Sequence, residues 1–189
     1  MPRLFTALEV PPHIAESLSR MRGGVSGARW IDVENYHVTL RFIGDVDDAF
    51  ARDAANALSF IERPEIELTI DQLSSFGGDK PRAIVARLRP DPALVEMQAE
   101  QERLLRRIGA PPEPRKFVPH VTLARLRGSN SASVAAYLGA RGYFPPLRFR
   151  AERFVLYSSR DSVGGGPYVV EAEYPLYETQ PALTGAVWG

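Results

Sequence analysis

His37-Val38-Thr39-Leu40 and His120-Val121-Thr122-Leu123 are one four-residue word that occurs twice in the chain. Each copy lies in a stretch that reads as a β-strand, bounded by polar or proline-containing sequence. Side chains along a strand alternate between faces. His and Thr, at i and i+2, therefore share one face, and Val and Leu share the other. Each copy presents an imidazole beside a hydroxyl while its apolar pair anchors the strand in a core. The chain has three histidines, and two of them head these words.

Outward from these strands, the two halves carry the same order of elements. Residues 4–10 read as a strand, and 12–22 suit a helix with Ile14, Leu18 and Met21 on one face, ended by Gly23-Gly24. A loop with Trp30 leads to the first His strand, 36–43. Asp47 or Asp48 caps a second helix striped by Phe50, Ala54, Ala57, Leu58 and Ile61, and 66–76 follows as a strand up to the turn at Gly77-Gly78. The second half starts with a strand at 82–88. Asp91-Pro92 then caps a helix with Leu94, Met97, Leu104, Leu105 and Ile108 inward. The second His strand, a helix at 131–138, a strand at 147–158, a turn at 164–166 and a last strand at 168–176 complete it.

An offset of 83 carries His37 to His120, Ile66 to Phe149, Leu73 to Leu156 and Ser75 to Ser158. A repeat of this length, seen twice, implies duplicated lobes rather than a solenoid. The expected architecture is α+β and bilobal. Two pseudo-symmetric lobes of antiparallel sheet, with outer helices, flank a central cleft. Residues 1–177 form one domain with internal repeats at 3–76 and 82–176, and 178–189 is a loosely held tail. Two equivalent strands facing each other across the cleft would gather two imidazoles and two hydroxyls around one site.

Composition narrows the function. The 189 residues suffice for one good-sized core or two closely packed lobes. With no cysteine, disulfides and thiolate metal sites are excluded. No apolar run approaches spanning length, and 1–10 lacks the pattern of a signal peptide, so a cytoplasmic protein is expected. Lys plus Arg equal Asp plus Glu at 23 each, which argues against tight, nonspecific binding of long nucleic acid. The distribution is less even. From Arg115 to Arg150 there is no acid, but there are Arg115, Lys116, Arg125, Arg127, Arg141, Arg148 and Arg150. Such a stretch either attracts a small phosphate-bearing ligand or is a solvated face balanced by acids elsewhere.

Imidazole titrates near 6.5, so close to neutrality one histidine can act as a base while its partner is an acid. A paired acid and base suits in-line displacement at phosphorus, with the hydroxyls donating to non-bridging oxygens as their charge grows. A metal site needs a third or fourth ligand at recognisable spacing, and a serine hydrolase needs a Gly-x-Ser-x-Gly elbow; neither pattern is present. No metal or cofactor is expected. His13 reads as a surface residue.

The paired His-x-Thr motifs resemble the two-histidine phosphoesterase superfamily, and within it the RNA 2′,3′-cyclic phosphodiesterases, also called 2′-5′ RNA ligases. The matching stretches run from Asn35 to Gly44 and from Phe117 to Arg125, with Leu156-Tyr157-Ser158-Ser159 and Tyr168 similar to that family's C-terminal hairpin. The resemblance implies metal-independent opening of a 2′,3′-cyclic phosphate on RNA or a nucleotide to a 2′-phosphate. By family pattern His37 protonates the departing 3′ oxygen, His120 deprotonates water, and Thr39 and Thr122 hold the phosphate. Arg125 matches a family arginine and adds charge there. By simple alternation Arg41 shares the His37 face and Phe42 falls in the core. Phe5 and Trp30 are either base-stacking or buried.

Two other functions remain open at this point: ligation by the reverse reaction, and a non-enzymatic RNA-end binding protein on the same scaffold. No membrane and no obligate protein partner is expected, and the chain reads as a monomer.

Overall fold

The computed structural model describes residues 2–141, 143–159 and 166–179. The strands are β1 (Arg3–Glu9), β2 (Ala28–Trp30), β3 (His37–Asp45), β4 (Ile66–Phe76), β5 (Ala83–Leu88), β6 (His120–Leu126), β7 (Leu147–Ala151), β8 (Arg153–Ser159) and β9 (Tyr168–Pro175). The helices are α1 (Pro12–Ser19), α2 (Asp48–Leu58), α3 (Pro92–Arg107) and α4 (Ser131–Ala140). Local chemistry sets the helix starts. The carboxylates of Asp47 and Asp91 accept the Phe50 and Ala93 amides at 2.7 and 2.9 Å, and Asn130 accepts that of Ser133 at 2.7 Å. Among the described residues no helix is long and apolar enough to cross a membrane.

The fold is α+β and antiparallel, with sheet order β7-β4-β5-β6-β3-β1-β8-β9 and β2 laid on β6. Two four-stranded lobes, β7-β4-β5-β6 and β3-β1-β8-β9, meet where the two His strands touch at Val38 and Val121. Each lobe draws strands from both halves of the chain. β4, from the first half, lies between β5 and β7 of the second, while β8, from the second half, pairs with β1 of the first. The helices interleave likewise. α2 packs with α3, and α4 reaches the turn after α1 through the Tyr137 hydroxyl, which donates to the Met21 carbonyl at 2.6 Å.

The stretch 147–158, expected as one strand, is two. β7 pairs with β4 and β8 with β1, so the chain changes lobes at Glu152 and one uninterrupted strand cannot serve both. The Trp30 loop contains β2, held on β6. Of the turn expected at 164–166, only Gly166 is described, and of the tail only 178–179; the remainder lies outside the described residues.

One apolar core runs through both lobes behind the sheet, and the HVTL strands insert Val38, Leu40, Val121 and Leu123 into it. A second, small cluster of Phe5, Ala7 and Val155 lies on the opposite face of the sheet, with Tyr157 and Tyr168 packed against it. This places an aromatic floor on the imidazole side of one lobe.

Candidate active site

The contact between β3 and β6 assembles the site. Carrying the antiparallel Val38–Val121 register one residue each way sets His37 opposite Thr122 and Thr39 opposite His120. All four side chains are partly accessible, whereas the intervening Val38 and Val121 are buried. The sequence expectation that the two words share one site corresponds to this register.

Each imidazole is fixed by the carbonyl two residues upstream. His37 Nδ1 donates to Asn35 O at 2.8 Å, and His120 Nδ1 donates to Val118 O at 2.6 Å. A carbonyl accepts only, so the neutral rings carry their proton on Nδ1 and leave Nε2 as a lone pair. His37 Nε2 accepts the Thr39 hydroxyl at 3.0 Å.

The surroundings of the two rings differ. Phe5, Tyr168 and Tyr157 box the His37 ring, with centroids at 5.2, 5.1 and 6.0 Å. His120 meets one aromatic, Phe76, edge-on at 4.8 Å. Burial is the main force on both titrations. It holds the His37 imidazole down to about 4, with the positive charges of His120 and Arg125 adding to the effect against the Asn35 hydrogen bond. Burial also lowers His120, helped by Arg125 and Arg87. Both imidazoles are therefore neutral at pH 7, ready to accept protons and poised to become cations beside an anion.

Arg125 acts electrostatically on both histidines although it lies three residues past Thr122, an odd spacing that alternation would turn away. A bulge restores it. Between the pairs Ile84–Ala124 and Val85–Thr122 the β6 strand carries an extra residue, Leu123, and the face of the following residues flips. β3 has the same bulge at Leu40, between Thr6–Arg41 and Ala7–Thr39. Two sequence expectations change as a result. Phe42 is not core: it pairs with Phe5, shares the imidazole face and is 41% exposed. Arg41 does not share that face. It is 4% exposed, its guanidinium paired with Glu102 of α3 and donating to the carbonyls of Phe42 and Pro111.

Phe5 is 5% exposed and supports the His37 ring; it offers no open stacking surface. Trp30 packs on the core beside Tyr137. His13 is exposed near the start of α1. The acid-free stretch does not form one positive patch. Arg115 pairs with Glu113, Arg150 with Glu65 and Glu67, and Arg141 lies over the Tyr137 ring. Arg125 is the member of that stretch whose charge reaches the imidazoles, and Arg29 faces it across the β2–β6 ladder. Tyr157, Tyr168 and Phe76 were not singled out from sequence as site residues, and Phe5 was offered only as either base-stacking or buried. The signal was the alternation of Tyr157 with Val155 on a strand whose pairing to β1 the sequence did not reveal.

A family model described as the 2′-5′ RNA ligase superfamily matches residues 10–162. The RNA 2′,3′-cyclic phosphodiesterase of Aeropyrum pernix is 32% identical over 120 residues, 60% of this chain and 68% of that relative. The enzyme of the same name from Thermotoga maritima is 29% identical over 186 residues, covering 94% of this chain and 95% of the relative. Among solved structures, Escherichia coli LigT complexed with 3′-AMP superposes with a TM-score of 0.72 at 23% identity, over 93% of this chain and 99% of that one. A protein from Thermus thermophilus superposes with a TM-score of 0.77 at 19% identity, over 92% and 97%. At those identities the two structures establish a shared fold. With the family match running through both histidine strands, the chain belongs to the 2′-5′ RNA ligase superfamily.

Proposed function

We propose that this chain is an RNA 2′,3′-cyclic phosphodiesterase that opens the cyclic phosphate to a 2′-phosphate without a metal ion. The reading is carried by one observation: on facing strands, two neutral imidazoles are held at Nδ1 by upstream carbonyls, leaving Nε2 as the unprotonated nitrogen. The curated relatives bear that activity in their names.

In this reaction the oxygen of a water attacks phosphorus and the bond from phosphorus to O3′ breaks. His120 Nε2 takes the proton released by the water. His37, protonated at Nε2 in the loaded enzyme, delivers a proton to O3′, and the product keeps its phosphate on O2′. The resting His37 is neutral, so it takes up a proton from solvent as the anionic substrate binds, the substrate's charge offsetting the burial that lowers the group. Once Nε2 is protonated it no longer accepts the Thr39 hydroxyl. That hydroxyl is then available, with Thr122, to donate to the non-bridging oxygens. Arg125 counters the charge growing there in the transition state. Phe42, exposed on the imidazole face, offers a platform for the terminal base.

The test is hydrolysis of a nucleoside 2′,3′-cyclic phosphate in excess EDTA, with the product identified by phosphorus NMR. The expected product is the 2′-phosphate, with rates about 10²–10⁴-fold lower in His37→Ala and in His120→Ala. A 3′-phosphate would reverse which oxygen leaves. Restoration of lost activity by added metal would overturn the metal-free mechanism, and absence of turnover would leave a protein that only binds RNA ends.

A further inference from the structure

The two four-stranded lobes meet at the His strands, but the residues flanking the two imidazoles are not equivalent in charge. On the strand beside His37, the directly paired residue is Glu9. On the strand beside His120 it is Arg87. Glu9 is consumed by its own lobe. Arg153 donates to both of its oxygens, at 2.6 and 3.0 Å, and also pairs with Glu173 at 2.7 Å. Arg87 is half-buried, and its guanidinium forms no hydrogen bond or ion pair with any described residue. The acid on the far side of Gln72, Asp71, is engaged by Arg89 at 2.8 Å.

The next strand outward differs in the same sense. Gln72, opposite Arg87 on β4, is exposed, and Ser74, opposite Val85, is partly accessible on the same face. The offset of 83 replaces these with Val155 and Tyr157 on the other lobe, part of the aromatic floor. One wall of the cleft is thus aromatic with its charges already paired. The other is cationic and rich in hydrogen-bonding groups, with Arg87 carried on the strand next to the His120 strand, whose backbone lies about 4.8 Å away. A half-buried guanidinium with no anion among the described residues to pair with is costly unless it meets one from a ligand.

We infer that Arg87, with Gln72 beside it, forms a second phosphate subsite that takes the phosphate on the 5′ oxygen of the terminal nucleotide, so that the preferred substrate is the end of an oligonucleotide rather than a cyclic mononucleotide. The inference rests on the proposed phosphodiesterase reading and adds to it the direction of the chain. The terminal base lies toward the aromatic lobe, and the upstream backbone leaves over β5 and β4.

Two measurements test it. First, kcat/KM is compared for a nucleoside 2′,3′-cyclic phosphate and the same compound carrying a 5′-phosphate. Wild type should favour the 5′-phosphorylated compound about tenfold, through KM. Arg87→Gln should bring that ratio close to one, Arg87→Lys should retain part of it, and Arg89→Gln should keep it. A ratio near one in wild type, or a ratio that survives Arg87→Gln, overturns the subsite. Second, calorimetric binding of a nucleoside 2′-phosphate and its 2′,5′-bisphosphate needs no turnover. About tenfold tighter binding of the bisphosphate, lost in Arg87→Gln, supports the subsite even where hydrolysis is absent and only the phosphodiesterase reading fails. Equal binding of the two overturns the subsite whatever the catalytic result.

Discussion

Phe42 and Arg125 occupy equivalent places, each five residues beyond its histidine and each turned onto the imidazole face by a one-residue bulge in its strand. The two strands share the bulge and differ in the side chain it exposes, an aromatic surface in one and a cation in the other. The consequences of removing them should therefore differ in kind. Phe42→Ala should raise KM for a nucleoside cyclic phosphate about tenfold while kcat stays within about twofold, because stacking on a base is made equally in ground and transition states. On the proposed mechanism Arg125 faces charge that grows during reaction, so Arg125→Gln should lower kcat by about 10²-fold. Steady-state kinetics of the two variants separate these outcomes. Equal losses in both parameters for both residues would remove the division of labour.

The histidine environments set the pH profile. A mechanism with one protonated and one neutral imidazole gives a bell whose limbs belong to the pair, and the profile is blind to which ring carries the proton. Both rings titrate below the ordinary 6.5 in the free enzyme, chiefly through burial, with His37 near 4. The free-enzyme profile, kcat/KM, should accordingly fall on its alkaline side before pH 6.5. An anionic substrate stabilises the imidazolium, so the alkaline limb of kcat should lie at higher pH than that of kcat/KM. Because the Arg125 charge lowers both histidines, Arg125→Gln should move the kcat/KM limb upward. A limb at or above 6.5 in wild type would contradict the buried, neutral pair.

The buried arginine behind the bulge makes a stability prediction. Arg41 is 4% exposed and ties β3 to α3 through Glu102 and to the loop before β6 through the Pro111 carbonyl. Arg41→Met removes the cation and leaves the Glu102 carboxylate, itself mostly buried, with the Glu113 amide as its remaining donor. Urea unfolding should show a loss of about 3 kcal/mol, because an uncompensated buried charge costs more than the intact pair contributes. Adding Glu102→Gln to Arg41→Met should recover part of that loss. Strict additivity of the two changes would show that they do not act as a pair.

How far the sequence carried the reading depends on which physical rule each residue obeys. The HVTL faces were legible because alternation holds within those four residues, with Val38, Leu40, Val121 and Leu123 buried and His and Thr opposite. The same rule failed at the next step. A bulge at Leu40 leaves no mark in composition, so Arg41 and Phe42 exchanged faces relative to expectation. Arg125 was expected in the site by resemblance, and the equivalent bulge at Leu123 is the physical reason it lies on the imidazole face. Helix starts at Asp47, Asp91 and Asn130 follow local hydrogen bonding and could be read or closely approached. Which strands become neighbours is nonlocal. Nothing in residues 66–76 says that they join β5 and β7, and nothing in 153–159 says that they join β1, so the aromatic box around His37 was invisible.

A glycine outside the motifs should matter through the carbonyl that fixes His37. Gly166 has φ +93°, a conformation that side-chain-bearing residues rarely adopt, and a Cβ there would stand 2.5 Å from the side-chain amide of Asn35. The Asn35 carbonyl is the acceptor that keeps the His37 proton on Nδ1. Gly166→Ala should displace Asn35, loosen that hydrogen bond and lower kcat about tenfold, because misplacing an acid–base group is costly even when the group remains. Nitrogen NMR of the His37 ring should then show a mixture of tautomers, with His120, held by Val118, unaffected. Replacing Asn35 by Ala in the same chain removes the clashing amide and keeps the carbonyl, so the double variant should recover activity relative to Gly166→Ala alone. If the double variant is no better, backbone strain at position 166 and not the Asn35 contact causes the loss, and the link from the C-terminal hairpin to the His37 tautomer is refuted.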